Sequence, residues 1–300
     1  MKFKLALIIF FIVLAGLAGV LWQRQKYSFV RANAAPLGTL QTMTVPPQFE
    51  DESIFLTPIN FSTATPTTEK VTGITVPHHL LATDLIANAF KFAASSSPNQ
   101  ILLISPDHFN LGQTDISISL SDFSTVFGTL DTDKQATQKF LNLPFVNVQN
   151  FFYREHGLGA ELPFIKYYFP SAKIIAVTFK ESTPKWELEQ MVEALKKVLD
   201  KNSLVVQSTD FSHYLTATNA ENHDEQTVKV LQSGDPEQLF LLNQPDNLDS
   251  IACQYVQMRL QNEFFSSKLQ ILGHKNSQDY TKQTVDSTTS YIVQAYVQNN

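Results

Sequence analysis

The amino-acid sequence predicts an α/β fold: a three-layer α/β/α domain with a central mixed, mostly parallel sheet, preceded by an N-terminal transmembrane helix. Short apolar segments alternate along the chain with segments of helical periodicity, and hydrophobic residues make up 43% of the sequence. Apolar strands separated by helices are typical of a sheet covered on both faces by helices. A long apolar segment near the N-terminus predicts the transmembrane helix.

Seven segments have the composition of β-strands. The segments at 100–105 (QILLIS) and 203–208 (SLVVQS) are largely apolar, as expected for strands buried on both faces. The segment at 115–120 alternates Ile with polar residues, which indicates a half-buried strand. The other predicted strands are 73–77, 173–179, 268–273 and 290–298.

Segments with helical spacing lie between these strands. The helix at 184–199 has Pro184 in its first turn, and the helix at 161–169 stops at Pro170. The other predicted helices are 81–94, 131–143, 219–232, 235–243 and 249–262. Together the predicted strands and helices define a domain over residues 71–298.

The N-terminus predicts a membrane anchor. After a short tail (1–4), residues 5–22 are all apolar or glycine, and about 17 to 25 such residues span a bilayer as a helix. Residues 23–70, rich in Pro and Thr, are predicted to be a linker, part of it lying on the domain surface. Because a short tail precedes the span and a large domain follows it, the chain is expected to cross the membrane once, with the folded domain on the extracytoplasmic side. The alternative is a cleaved signal peptide and a secreted protein.

Composition and motifs exclude several classes of protein. The net charge of −6 gives no reason to expect nucleic-acid binding, which needs concentrated Lys and Arg. The sequence has neither a P-loop nor GxGxxG, so nucleotide chemistry is not expected. It also lacks a Gly-x-Ser-x-Gly nucleophile motif. Its one cysteine, Cys253, cannot form an internal disulfide.

Three predicted strands end in loops that carry histidine. If the strands are neighbours in a parallel sheet, these histidines converge in one crevice at the carboxyl edge. Imidazole is the commonest metal ligand and the usual general base near neutral pH. Spacing does not choose between the two adjacent histidines of the first loop. The loops are Val76-Pro77-His78-His79, Ser105-Pro106-Asp107-His108 and Thr209-Asp210-Phe211-Ser212-His213-Tyr214.

The order of these motifs resembles that of the Memo family (system protein B of the AmmeMemoRadiSam group). The resemblance covers roughly residues 71–298, and its specificity lies in the order and spacing of motifs rather than in any single one. The matching segments are Val-Pro-His at 76–78, Ser-Pro-Asp-His at 105–108, Arg-Glu-His at 154–156 and Asp-Phe-Ser-His-Tyr at 210–214.

The resemblance implies a metal site. The family is similar in fold to the class III extradiol ring-cleavage dioxygenases, which hold non-haem Fe(II). Carried over by motif, His78, His108 and Cys253 would be the metal ligands, and Asp210 and His213 the catalytic residues, with His213 as the acid/base. The resemblance implies Fe(II), with Cu or Zn as alternatives. A thiolate ligand makes the site softer, which favours iron, copper or zinc over magnesium or calcium.

Other features of the residues favour simpler roles. A lone cysteine in a helical segment, such as Cys253, is typically a buried apolar residue. Asp210 is equally suited to capping a turn. Where the family has two glutamates around the Glu-His motif, Gly159 stands in the second position here, and a structural role is predicted for Glu155 and His156.

Two further sites that contain histidine are predicted to lie on the protein surface. His223 and Asp224 lie on a predicted helix and are expected on its solvated face. His274, at the end of a predicted strand, is expected on the surface.

Three functions are compatible with these features. The first is a metal-binding protein with redox or dioxygenase-like activity on an unknown small molecule. The second is a non-catalytic, membrane-anchored binding module with a protein or peptide ligand. The third is a metal-dependent hydrolase, in which Asp210 would supply the carboxylate beside zinc-activated water. The second predicts a pocket without stoichiometric metal, or metal without turnover.

Overall fold

A computed structural model describes residues 44–281 and 286–298. The predicted tail (1–4), the predicted membrane span (5–22) and the first part of the predicted linker lie outside the described residues. Within those residues, no helix combines the length and the apolar character needed to cross a membrane.

Eight strands form one sheet of order β6-β3-β7-β2-β8-β1-β10-β9, and β4 and β5 form a separate hairpin. The strands are β1 (Lys70–Val76), β2 (Gln100–Pro106), β3 (Ile116–Ile118), β4 (Phe123–Thr125), β5 (Gly128–Leu130), β6 (Val146–Val148), β7 (Lys173–Phe179), β8 (Ser203–Ser208), β9 (Lys268–Asn276) and β10 (Ser290–Gln298).

The four central strands, β7, β2, β8 and β1, are mutually parallel. Strand β3 runs antiparallel to β7, and β10 runs antiparallel to both β1 and β9. The prediction of a mixed, mostly parallel central sheet is therefore confirmed.

Helices pack on the sheet, and short 3-10 turns connect the elements. The α-helices of the described residues are α1 (Ser53–Phe61), α2 (Thr83–Ala93), α3 (Lys134–Gln138), α4 (His156–Gly159), α5 (Leu162–Tyr168), α6 (Lys185–Leu195), α7 (Ala217–Ser233) and α8 (Ile251–Leu260), the last continuing as a π-helical turn, Gln261–Phe265. The 3-10 helices are Leu80–Ala82, Ala94–Ser96, Lys139–Asn142, Phe151–Arg154, Pro236–Leu241 and Ser277–Tyr280.

Alternate residues of the central strands enter two different apolar cores. Ile101 and Leu103 of β2 belong to the core that includes buried residues of α1, α2 and α5. Leu102 and Ile104 belong to the core formed with α6 and α8. This alternation, which follows from the two-residue period of a strand, places helices on both faces of the sheet.

A buried amide network ties helix α8 to the sheet. The Thr75 hydroxyl donates to Gln207 Oε1 (3.0 Å), and Gln207 Nε2 donates to Gln254 Oε1 (3.1 Å). Gln254 Nε2 in turn donates to Gln294 Oε1 (3.3 Å). Because buried amides are costly when unpaired, this chain of hydrogen bonds fixes the position of α8 over β1, β8 and β10.

Helix α1 lies within the segment that was predicted to be linker. Phe55 is fully buried and packs edge-on against Phe164, with ring centroids 5.4 Å apart, and Ile59 is also buried. Pro58 lies inside the helix. The folded domain therefore begins before residue 71, and the linker prediction does not describe residues 53–61.

Replacing Phe55 with Ala is expected to lower the free energy of unfolding by about 3–5 kcal/mol, because it removes a fully buried aromatic ring. Urea denaturation followed by circular dichroism measures this. Phe61 of the same helix is 79% exposed, and its replacement with Ala should change stability by no more than about 0.5 kcal/mol. Equal, small effects of both substitutions would contradict the inclusion of α1 in the core.

Candidate metal centre

Three histidines converge at the carboxyl edge of the sheet. His78 follows β1, His108 follows the nearby strand β2, and His156 begins α4. The ring centroids of His78 and His108 are 4.6 Å apart, and those of His108 and His156 are 4.1 Å apart. Ring nitrogens of all three lie within 4.8 Å of one another, so this three-histidine cluster could hold a metal ion.

His78 is buried, and hydrogen bonds fix both its backbone and its ring. Its backbone N–H donates to Asp210 Oδ1 (3.1 Å), and its Nδ1 lies 3.1 Å from Ser208 Oγ. Its Nε2 faces Asp249 Oδ2 at 3.2 Å. The neighbouring His79 points elsewhere, with Nδ1 2.7 Å from the Tyr291 hydroxyl. The structure thus places His78, and not His79, in the cluster.

His108 is oriented by a buried carboxylate. Its Nδ1 lies 2.6 Å from Glu155 Oε1, and its backbone N–H donates to Glu155 Oε2 (3.0 Å). Its buried Nε2 has no hydrogen-bond partner among the described residues and lies 3.4 Å from Asp249 Oδ2. A histidine held by a carboxylate on one nitrogen, with the other nitrogen unpaired, is the usual arrangement of a metal ligand.

Asp249, which the sequence analysis did not select, lies between the two imidazoles. Its side chain is only 8% exposed, and neither carboxylate oxygen has a hydrogen-bond partner among the described residues. It immediately precedes Ser250, whose side chain caps α8 by accepting a hydrogen bond from the Cys253 backbone N–H. An acidic residue directly before a capping serine is common at helix N-termini, so the sequence carries no signal specific to a metal ligand at this position.

The electrostatics of the cluster favour a bound cation. Burial disfavours the charged form of His108, but the nearby carboxylates of Asp249 and Glu155 outweigh it and raise the pKa of His108 to about 10. Burial also acts against ionised Asp249, yet its contacts with His108 and His78 lower the pKa of that carboxyl. Burial, together with the charges of His108 and His78, lowers the pKa of His156 to about 4, so that imidazole is neutral.

The two predicted catalytic residues lie at the same edge. Asp210 is buried, and its Oδ2 is 3.6 Å from His78 Nε2 and 3.9 Å from His213 Nε2. The Nδ1 of His213 is 2.6 Å from the Phe211 carbonyl oxygen, so it carries the proton and donates, which leaves Nε2 able to accept one. A cavity of about 250 Å³ is lined by His213, His108 and Asp249.

The model of the family described as Memo-like protein matches residues 52–294. The chain belongs to the Memo family.

The chain is similar to several curated members of the family. It is 25% identical to a MEMO1 family protein of Sulfurisphaera tokodaii, over 72% of this chain and 80% of that protein. It is 30% identical to one of Aquifex aeolicus, over 48% and 54% of the two chains, and 20% identical to one of Nitrosopumilus maritimus, over 57% and 64%. The last two matches span less than two thirds of those relatives.

A search of solved structures found an uncharacterized protein, JW3007, from Escherichia coli K12. The TM-score is 0.48 and the sequence identity 11%, over 75% of this chain and 99% of that chain.

The three-histidine cluster does not include Cys253, the third ligand implied by the Memo resemblance. Cys253 is a residue of α8 and is fully buried in the apolar core that this helix forms with the sheet. Burial raises the pKa of its thiol well above the usual value, so the sulfur keeps its proton. Asp249, four residues earlier, occupies the place beside the imidazoles.

Gly157 and Gly159, near the Glu-His motif, both lie where a side chain would meet neighbouring atoms. A Cβ on Gly157 would lie 2.2 Å from Ser105 Oγ and 3.2 Å from His108 Cε1, so the ring of His108 packs directly against this backbone. A Cβ on Gly159 would lie 2.0 Å from Gln48 Oε1. The side chain of Gln48, from the segment before α1, therefore fills the space that the missing glutamate would need.

Asp224 is buried, contrary to the prediction of a solvated helix face. Its Oδ1 accepts from the hydroxyls of Ser212 (2.7 Å) and Ser290 (2.6 Å), and its Oδ2 lies 2.7 Å from His274 Nε2. Helix α7 thereby anchors the loop that carries His213 to strand β10. Because the partners of this carboxylate are distant in sequence, the residues around Asp224 could not predict its burial.

The contact between His274 and Asp224 predicts a pH-dependent contribution to stability. The hydrogen bond to Asp224 raises the pKa of His274 above its ordinary value, although burial opposes the shift. The folded state therefore binds the proton more tightly than the unfolded chain. The stabilisation is full below the unfolded-state pKa of about 6.5 and is lost as the pH rises through the folded-state pKa.

The difference in unfolding free energy between the wild type and His274→Gln should accordingly be larger at about pH 5.5 than at about pH 9. Urea denaturation of both proteins across this range measures it. A difference that grows with pH would contradict the assigned direction.

Proposed function

We propose that the protein binds a divalent metal, with Fe(II) as the expected ion, and uses it for dioxygenase-like redox chemistry on a small molecule. The observation that carries this proposal is the buried, unpaired Nε2 of His108, directed at the same carboxylate oxygen as His78 Nε2. Each ring is anchored through its Nδ1, so both Nε2 atoms are available as ligands.

The residues present fit a resident metal of this kind. An unpaired buried imidazole nitrogen and an unpaired buried carboxylate are expensive in a folded protein unless a cation satisfies them. Nitrogen and oxygen donors with open positions suit non-haem iron, and copper or zinc are alternatives. When bound, the metal would supply the redox and O₂ chemistry.

The protein's own residues would bind and orient the substrate and move a proton. Ser208 and Glu155 hold the two imidazoles in place, and Asp210 fixes the backbone of His78. With its Nδ1 engaged by a carbonyl, His213 can accept a proton at Nε2 from a substrate hydroxyl in the adjoining cavity.

The lining of the cavity favours an uncharged or cationic small molecule. Asp107, Glu181 and Asp249 line it, and among the described residues no Lys or Arg does. An anionic ligand would meet three carboxylates with only histidines to balance them, so it would be repelled at short range.

Location remains a proposal based on the sequence. Residues 5–22 would anchor the chain in a membrane, with the domain on the extracytoplasmic side.

A non-catalytic, membrane-anchored binding module for a protein or peptide is the second candidate, and the altered glycine positions favour it. The metal content of the protein decides between the two.

The purified protein is expected to contain close to one equivalent of Fe, Cu or Zn per chain, as measured by inductively coupled plasma mass spectrometry after anaerobic purification. His78→Ala and His108→Ala should each lose it. His79→Ala, whose ring points to Tyr291, is the matched control and should retain metal. Absence of metal from folded wild-type protein, even after reconstitution with Fe(II), would eliminate the enzyme proposal and leave the binding module.

His213→Ala is expected to retain metal while O₂ uptake with aromatic diols falls by roughly 10²–10⁴-fold, the usual contribution of a general base. An oxygen electrode and metal analysis on the same sample test this. His223→Ala, on α7, is the control and should keep full turnover. Unchanged O₂ uptake by His213→Ala would remove His213 from the mechanism.

A further inference from the structure

We propose that Asp249 is the third protein ligand of the metal, in the role that the Memo resemblance assigns to Cys253. The inference rests on the proposed function, because it concerns the same metal. It makes the donor set of this chain two imidazoles and one carboxylate.

The distances fit ligands that share one ion. Asp249 Oδ2 lies 3.2 Å from His78 Nε2 and 3.4 Å from His108 Nε2. Donors bound about 2.1 Å from a single ion lie roughly 3.0 Å apart at octahedral angles and roughly 3.4 Å apart at tetrahedral angles. The carboxylate oxygen is therefore at ligand spacing from both imidazole nitrogens.

The carboxylate of Asp249 also lacks the hydrogen bonds that a buried charge needs. Its side chain is almost fully buried, and within the part of the chain that the structure describes neither oxygen accepts a hydrogen bond. The Asp107 carboxylate, at the same edge, contrasts with it, since Asp107 accepts from the backbone N–H groups of Leu111 and Gly112. A buried ionised carboxylate without hydrogen bonds is strongly unfavourable, and a divalent cation beside it removes that cost.

The backbone holds Asp249 in position. Its own N–H donates to the Asp210 carbonyl oxygen (3.1 Å), which joins it to the loop that carries His213. The next residue, Ser250, caps α8, and α8 is fixed to the sheet through Gln254. A ligand fixed before the metal binds loses little conformational freedom on binding.

Neither competing residue has the same features. Cys253, in α8 itself, is fully buried among apolar residues. His156 belongs to the three-histidine cluster, but its side chain is 36% exposed, so water can satisfy its ring without a metal. Asp249 is both buried and without a hydrogen-bond partner among the described residues, and its carboxylate lies beside both imidazoles.

A carboxylate in place of a thiolate changes the chemistry of the centre. Two histidines and one carboxylate with open positions form the ligand set of non-haem Fe(II) oxygenases, whereas a thiolate favours Cu(I) and Zn. The centre of this chain should therefore prefer Fe(II) and should be insensitive to reagents that block or oxidise thiols.

The test compares Fe(II) binding by the full-length wild type, Asp249→Ala, Cys253→Ser, His156→Ala and His78→Ala, by anaerobic titration with a competing chelator. Asp249→Ala is expected to weaken binding by roughly 100-fold or more, because loss of outer-shell partners alone costs 10–100-fold. Cys253→Ser should bind within about twofold of the wild type. Circular dichroism reports folding of each variant.

A spectroscopic readout keeps the test decisive if Asp249→Ala does not fold. Wild type loaded with Co(II) should lack a thiolate-to-metal charge-transfer band, and Asp249→Cys loaded with Co(II) should gain one. The same band in the wild type, abolished by Cys253→Ser, would overturn the proposal in favour of the thiolate.

The outcomes separate this inference from the proposed function. If His78→Ala loses metal while Asp249→Ala binds as well as the wild type, the metal function stands and Asp249 is not a ligand. If His156→Ala loses metal in place of Asp249→Ala, the third ligand is His156. If the wild type binds no metal, the proposed function fails and this inference fails with it.

Discussion

The parallel pairing of β2, β8 and β1 is the constraint on which the candidate site depends. Parallel strands end at the same edge of a sheet, and β8 lies directly between β1 and β2. The loops that follow these three strands therefore bring His78, His108 and Asp210 together, although they are far apart in sequence. A change in the strand order or the register of β8 would separate the imidazoles without altering any residue of the site.

Strand order brings the histidines near one another, and polar contacts from surrounding residues then fix the position of each ring. The Glu155 carboxylate holds His108, Ser208 holds His78, and the buried Asp224 holds the loop of His213 against β10. Buried polar groups specify a position more sharply than apolar packing does, because a small displacement leaves them unpaired. The apolar cores on the two faces of the sheet supply the stability, and these carboxylates and hydroxyls supply the alignment.

The sequence predicted those parts of the molecule whose structure is decided locally. The predicted strands at 173–179, 203–208 and 290–298 coincide with β7, β8 and β10, because long apolar segments with strand composition have few alternatives. Helix α1 was missed because Pro58 indicated a linker, whereas its burial depends on distant aromatic partners such as Phe164. Asp249 was missed for the same kind of reason: only the folded loop reveals that its carboxylate meets two imidazoles.

The negative charge of several buried carboxylates at the site must be balanced by a positive charge. Asp249, Glu155 and Asp210 lie around two imidazoles, and in the absence of a metal ion the proton on His108 offsets part of their negative charge. A divalent cation at the unpaired nitrogens can take over that role and, unlike a proton, can satisfy His78, His108 and Asp249 at once. A purely structural centre would need only well-paired residues such as Asp107 or Asp224, whose oxygens already accept hydrogen bonds. The unpaired groups are therefore best explained by a ligand that the fold is built to receive.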